Sequence, residues 1–375
     1  MVIRILTLLC FVFLLGCEQA NLVSEDTGVT RVADAMDETD PRYLRAYEPR
    51  PFEFPLDHGP HLGFKTEWWY LTGNLEDENK RRFGYQFTLF RVALSPEPQE
   101  RTSAWAANDI YMAHFALTDL QNQRFYHFER FGRGAAGLAG AQAMPFKVWL
   151  EDWQLHSEQE AFFPLRLEIA QDELSLDLSL RSDKPVVLQG DRGLSQKSAE
   201  PGNASYYYTY TRMPTQGRIT IAGNQFDVLG NSWLDREWST SALGANQQGW
   251  DWFALQLSDG RELMFYQLRL QDGSADKFSK GLLVFQDGTS VVLKADEVSL
   301  SPTEHWRSDE TEVSYPIHWQ LSIPKFDLQL NVKAILPQQE MQLSVRYWEG
   351  AVDVSGFSED KVISGQGYLE LAGYE

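Results

Sequence analysis

The sequence predicts an all-β chain folded as two consecutive antiparallel β-barrels, and three observations carry that expectation. From about Pro51 onward apolar and polar residues alternate in short runs separated by clusters of Asp, Gly, Asn and Pro, the period of strands with one buried face. Aromatic residues make up 13% of the 375 positions, and such side chains favour pleated, half-buried surfaces. The stretch from Trp69 to Arg91 is echoed by that from Trp252 to Arg269, each with an aromatic strand, an acidic turn and a second strand ending in Arg. A duplicated unit of this kind implies two similar barrels, placed at residues 51–240 and 241–375.

Ahead of the barrels, Arg4 precedes an apolar run from Ile5 to Leu15 and then Leu14-Leu15-Gly16-Cys17. The run is far short of the roughly 20 residues that a spanning helix needs, so residues 1–16 read as a cleaved signal peptide. The Leu-Leu-Gly-Cys ending resembles the bacterial lipoprotein box, which implies lipidation of Cys17; a plain secretory leader with an incidental Cys is the alternative. By the same resemblance, Glu18 in place of Asp implies the periplasmic face of the outer membrane within the cell envelope. Cys10 and Cys17 are the two cysteines, so the mature body has no thiol for a disulfide, a nucleophile or a zinc ligand.

Residues 17–50 are rich in acids (Glu18, Glu25, Asp26, Asp34, Asp37, Glu38, Asp40) and read as a solvated, flexible tether. The formal charge of −20 repels nucleic acid and anionic headgroups. Membrane contact is therefore expected through the lipid anchor only.

Within the first barrel, Phe83, Tyr85, Phe87 and Leu89 share one strand face, Ile110, Met112, His114 and Ala116 a second, and Leu174, Leu176, Leu178 and Leu180 a third. The Gly/Ala-rich stretch Gly134 to Ala143 is the one place for a short helix, against the cost of its glycines. In the second barrel, Ser258-Asp259-Gly260-Arg261 signals a two-residue hairpin. That turn places Asp251 opposite Leu268, Trp252 opposite Gln267 and Phe253 opposite Tyr266, with Asp251 and Tyr266 as diagonal neighbours on one face. Further strands are expected at residues 281–285, 290–294, 318–323, 327–332, 342–347 and 367–371.

The chemistry-bearing residues concentrate between Gly230 and Asp272. If Trp233 to Trp238 is a strand, Trp233, Asp235 and Glu237 point one way and Arg236 and Trp238 the other. Two carboxyls on one face in a dry cavity favour a raised pKa and a general acid; ion pairing with Arg at the seam between barrels is the bland alternative. Asp251 with Tyr266 suggests an acid–base pair, or a Tyr hydroxyl capping a buried Asp. His114 is either a satisfied core residue or a ligand contact. Glu67, among Trp68, Trp69 and Tyr70, has either a carboxyl raised by aromatic burial or a salt bridge to Arg91. The tyrosines Tyr206, Tyr208 and Tyr210 suggest a pocket wall or an exposed strand face. The chain carries no metal-binding His pair, nucleophile elbow, phosphate loop or dinucleotide fingerprint, so neither metal nor other cofactor is expected.

Six motifs together resemble the AttH/CrtC-like lipocalin-related proteins, which include carotenoid 1,2-hydratases and bacterial lipoproteins. They are Glu67-Trp68-Trp69-Tyr70-Leu71-Thr72-Gly73-Asn74, Ala113-His114-Phe115-Ala116, Gly202-Asn203-Ala204-Ser205-Tyr206-Tyr207-Tyr208, Trp233-Leu234-Asp235-Arg236-Glu237-Trp238, Gly249-Trp250-Asp251-Trp252 and Tyr347-Trp348-Glu349-Gly350-Ala351. The resemblance implies two lipocalin-like (calycin) barrels with a ligand cavity and, as a partner, a permease-type ABC export system. The carotenoid hydratases of this family carry His between the Asp and Glu of the Trp233–Trp238 motif. This chain has Arg236, whose guanidinium cannot cycle as an acid.

The first expectation is thus a monomeric envelope protein that binds a hydrophobic or amphipathic small molecule, with Glu67, Trp69, Arg236, Trp238 and Trp252 as ligand contacts. The second is a hydratase, isomerase or hydrolase acting on an apolar, isoprenoid-like substrate, with Asp235, Glu237, His114, Asp251 and Tyr266 as its acids and bases. A third makes the aromatic clusters a rigid interface with no ligand.

Overall fold

The computed structural model describes residues 40–97, 103–240 and 243–374. The expected signal peptide and Cys17 lie outside the described residues.

The first sheet comprises β1 (Thr66–Asp77), β2 (Arg82–Ala93), β3 (Asp109–Asp119), β4 (Arg124–Arg133), β5 (Ala139–Ala143), β6 (Phe146–Leu150), β7 (Trp153–Ser157), β8 (Leu165–Gln171), β9 (Leu174–Leu180), β10 (Val187–Leu188), β11 (Leu194–Gln196), β12 (Ala204–Ile221) and β13 (Asn224–Ser239). The second comprises β14 (Gln247–Leu257), β15 (Glu262–Leu270), β16 (Lys280–Val284), β17 (Ser290–Lys294), β18 (Ser299–Arg307), β19 (Ser314–Ile323), β20 (Leu328–Ala334), β21 (Glu340–Gln342), β22 (Arg346–Ser358) and β23 (Lys361–Ala372). All pairings are antiparallel, in the orders β4-β3-β2-β1-β13-β12-β9-β8-β7-β6-β5 and β17-β16-β15-β14-β23-β22-β20-β19-β18. The first sheet curls into a nearly closed barrel and the second into a half-barrel, so the chain is all-β with two consecutive calycin-type units.

Period-two patterning fills each lumen. Phe83, Tyr85, Phe87 and Leu89 lie in the first core with Leu174, Leu176, Leu178 and Leu180, and a fully buried side chain of this size contributes about 1.5–3 kcal/mol. Phe253, Leu255, Trp319 and Trp348 fill the second. A third cluster, with Tyr70, Tyr207, Trp233, Trp252 and Tyr266, lies between the sheets. There the barrels come so close at Gly84 that an added Cβ would sit 2.7 Å from that of Ala351.

Four sequence expectations are corrected. The stretch Gly134 to Ala143 holds no helix; its last residues form β5, whose backbone pairs with β6. The hairpin between β14 and β15 has a three-residue loop, because Leu257 and Arg261 close it (N···O 2.9 Å) and Gly260 takes φ +84°, the geometry of a loop ending in a left-handed residue. The register therefore slips by one: Asp251 faces Gln267, Trp252 faces Tyr266 and Phe253 faces Phe265. A one-residue slip exchanges the faces of a strand, so Asp251 and Tyr266 are on opposite sides of the sheet. Tyr206, Tyr208 and Tyr210 pack in the first core instead of lining a pocket or facing solvent. The described end of the expected tether, from residue 40, packs on the first barrel: Tyr43 and Ala46 are buried, and the Tyr43 hydroxyl donates to Ala93 O at 2.9 Å.

Candidate active site between the barrels

Directly opposed residues in an antiparallel sheet share a face, so register alone builds two walls. On the first sheet one row runs His114, Thr88, Tyr70, Asp235, Thr209, and the next runs Met112, Phe90, Trp68, Glu237, Tyr207. On the second sheet the facing rows are Tyr266, Trp252, Glu370, Glu349 and Leu268, Trp250, Ala372, Tyr347. The walls are tied by hydrogen bonds from Tyr70 Oη to Glu349 Oε1 (2.6 Å) and from Trp252 Nε1 to Tyr207 Oη (3.3 Å). His114 Nδ1 pairs with Tyr347 Oη at 2.7 Å and Ser195 Oγ with Tyr266 Oη at 2.9 Å.

Between the walls is a cavity of about 430 Å³, within the range of small-molecule sites. Its lining is mainly apolar, including Phe90, Val92, Met112, Trp252 and Leu268, with polar groups converging at Asp235, Glu237, Lys197, Tyr207 and Glu370. Ile110 and Phe131 line it and are also exposed to solvent, marking its mouth.

Asp235 accepts hydrogen bonds from Tyr207 Oη (2.7 Å), Thr209 Oγ1 (2.6 Å) and Trp233 Nε1 (2.9 Å). Among the described residues it forms no ion pair, and burial pushes its carboxyl up to about 7. Glu237 instead pairs with Lys197 Nζ at 3.1 Å. Burial opposes the charge of Lys197, but Glu237 and Tyr266 outweigh it and hold the ammonium above its usual range. His114 is held below the usual imidazole value by burial, against Glu129, whose Oε1 is 3.0 Å from Nε2. Glu370 accepts from Trp250 Nε1 at 2.6 Å, and burial pushes it up to about 7.

The structure thus brings Asp235, Glu237, His114, Tyr266 and Trp252 to one chamber and separates the rest. Asp251 points into the second barrel, bonded to Arg269, Tyr374 Oη (2.8 Å) and Gln267 (3.3 Å). Trp69 and Trp238 belong to the first core. Arg236 stacks on Trp69 at 3.9 Å and is paired with Glu67. Glu67 borders the chamber, but its carboxylate is taken by Arg236, Arg91 (3.0 Å) and His61 (3.2 Å). Burial would raise Glu67; Arg91 and Arg236 overcome it and hold the carboxyl well below the ordinary range, so of the two expectations the salt bridge to Arg91 holds and the raised carboxyl does not. Arg236 leaves by the face opposite Asp235 and is not among the residues that line the chamber.

Sequence reasoning missed Tyr70, Tyr207, Lys197, Glu349 and Glu370 as site residues. Tyr70, Tyr207 and Glu349 stand inside quoted motifs, and the same alternation that put Trp69 and Tyr208 in the core could have put Tyr70 and Tyr207 on the outer face. Lys197 and Glu370 carry no local signal. Among the described residues no group of three or more His, Cys, Asp or Glu is placed to hold a metal ion.

A family model of AttH-like proteins matches residues 45–374. Among solved structures, a Nitrosomonas europaea protein provisionally named AttH is 32% identical with a TM-score of 0.78, the match covering 88% of this chain and 100% of that one. Kievitone hydratase from Nectria haematococca is 16% identical (TM-score 0.66; 88% and 96% covered), and CghA, crystallised with Sch210972, is 12% identical (TM-score 0.50; 88% and 94% covered). At these identities the last two share the fold. No curated protein matches the chain.

Proposed function

The chain belongs to the AttH-like family, and from the chamber between its barrels we propose that it takes up a hydrophobic or amphipathic unsaturated molecule and transforms it by general acid–base chemistry, as a hydratase or isomerase. The observation that carries this reading is Asp235: a carboxyl in the wall of an apolar chamber, held by neutral donors with no cation paired to it among the described residues. Such a group stays protonated near neutral pH and can donate to carbon. Trp68 and Trp252 present aromatic rings to the chamber, suited to a cationic intermediate. The fold shared with a hydratase supports the same reaction class.

The experiment is incubation of the purified protein with a panel of apolar isoprenoid alkenes in ¹⁸O-water, followed by mass spectrometry. Expected is a product heavier by one labelled water, or an isomer of unchanged mass. Asp235→Asn should lower turnover roughly 10²–10⁴-fold; turnover equal to wild type would remove Asp235 as the acid.

A binding role without chemistry is the second reading, supported by the exposed apolar mouth at Ile110 and Phe131. It predicts that native mass spectrometry recovers an apolar ligand unaltered. We further propose a monomer anchored through lipid on Cys17 at the periplasmic face of the outer membrane, serving a permease-type ABC export system; the leader pattern supports the anchor and the family resemblance the partner. Mass analysis of the N-terminal peptide and fractionation of Cys17→Ala cells check the anchor.

A further inference from the structure

We infer that Glu349 and Glu370 form a proton-sharing pair on the wall opposite Asp235, and that Glu370 is the chamber's base. The inference rests on reading the chamber as a reaction site. The two glutamates are direct cross-strand partners on β22 and β23, which puts their carboxyls side by side on one face, within reach of a hydrogen bond to each other. Two carboxyl groups can make that bond only if one of them carries a proton. Each outer oxygen has its own donor: Tyr70 Oη to Glu349 Oε1 at 2.6 Å and Trp250 Nε1 to Glu370 Oε1 at 2.6 Å. Glu349 Oε2 is buried and receives no N–H or hydroxyl among the described residues, so the shared proton is what satisfies it. Among the described residues no cation forms an ion pair with either glutamate. Burial agrees, raising Glu349 well above the usual range and Glu370 to about 7.

Placement gives the pair its role. Glu370 lines the chamber, while Glu349 stands beside it as the proton holder. Tyr70, cross-strand partner of Asp235, reaches Glu349; Trp252, cross-strand partner of Glu370, reaches Tyr207, which donates to Asp235. A substrate between the walls has Asp235 on one side and Glu370 on the other. In a hydration the Asp235 carboxyl proton and the alkene π pair form a C–H bond, leaving the neighbouring carbon cationic. A water oxygen forms the C–O bond from the opposite face, and its released proton goes to the Glu370 carboxylate. Exchange with solvent returns one proton to Asp235 and removes one from Glu370. The addition is therefore anti.

Infrared difference spectroscopy of the whole protein tests the pair without substrate. At pH 8 the C=O stretch of a protonated carboxyl should persist in wild type and in Asp235→Asn, vanish in Glu349→Gln, which removes the proton holder, and shift in Glu370→Gln, where burial alone keeps Glu349 protonated. Tyr70→Phe, which keeps both glutamates, should shift the band in place of abolishing it, and this covers the case in which a Gln variant fails to fold. No such band at pH 8, or one unchanged in the Gln variants that fold and in Tyr70→Phe, would overturn the pair. With any alkene of the panel that turns over, Glu370→Gln should lose the acidic limb of the pH–rate profile and at least tenfold of the rate; a retained limb would overturn the base role. If the band behaves as expected while every alkene stays inert, the proton pair stands and the chamber loses its reading as a reaction site.

Discussion

Asp235 and Arg236 are chain neighbours on β13 whose side chains leave by opposite faces, and the two environments differ in whether buried charge is matched. On the inner face Glu67 is enclosed by Arg91, Arg236 and His61, and its carboxyl is held well below the usual range even though it is fully buried. On the outer face Asp235 is as buried but meets two hydroxyls and an indole, and its carboxyl is raised to about 7. Burial is common to both; the supply of cations decides the sign. The second barrel also buries an ion pair, Asp251 with Arg269, whose guanidinium lies 3.8 Å from the Tyr374 ring, but there burial outweighs the single cation and the carboxyl stays raised, where the two arginines around Glu67 lower it. The echo between the two halves of the sequence thus marks two internal ion pairs, while the faces turned away from them make the chamber.

The sharpest way to break this contrast is Arg236→Met, which leaves Glu67 with less charge compensation in a fully buried site. The expected loss is about 3–5 kcal/mol in urea unfolding at pH 7; a loss below about 1 kcal/mol would mean that Arg91 and His61 suffice alone. The pH dependence of stability separates the faces next. The folded pKa of Asp235 lies above its unfolded value, so its contribution is fully present below about 3.8 and is lost as pH rises through about 7. For Glu67 the folded value is depressed, so its contribution is present above the unfolded value of about 4.5 and is lost as the solution becomes acidic. Relative to wild type, Asp235→Asn should therefore gain stability between pH 4 and 8, by a few kcal/mol, while Glu67→Gln should lose it. Parallel curves for the two variants would refute the distinction.

Much of this was legible from alternation. The strand faces of Phe83 to Leu89 and Leu174 to Leu180 follow from period two, and the split of Asp235 and Glu237 from Arg236 and Trp238 needed only that β13 be extended. Which face looks inward is set by how the sheet closes, so Trp69, Trp238 and the tyrosines at 206, 208 and 210 were expected at a ligand or a surface and lie in a core. Turn length was a second blind spot: Ser258-Asp259-Gly260 closes as three residues, and one residue of register moved Asp251 away from Tyr266. Lys197 and Glu370 come from a connection and from the last strand, and only tertiary closure brings them to Asp235.

Smaller substitutions sharpen the outer face. Tyr207→Phe removes one of the three donors that Asp235 accepts from. A buried oxygen losing its donor costs about 1–2 kcal/mol, and the cost here should grow as pH rises above 7, because the donor matters most to the ionised form. The Asp235 pKa should move further up, read by carbon-13 NMR of the aspartate carboxyls. A downward shift would mean that Tyr207 favours the protonated carboxyl. Trp250→Phe is the mirror of that change on the opposite wall, since the indole donates to Glu370 Oε1 at 2.6 Å. The substitution removes one ring of the indole as well as the hydrogen bond, so about 1–3 kcal/mol is expected, again with the titration displaced upward. Because Glu349 can still share its proton with Glu370, the displacement should be smaller than that of Asp235 in Tyr207→Phe. Equal displacements would mean that the pair gives Glu370 no support that the lone carboxyl of Asp235 lacks.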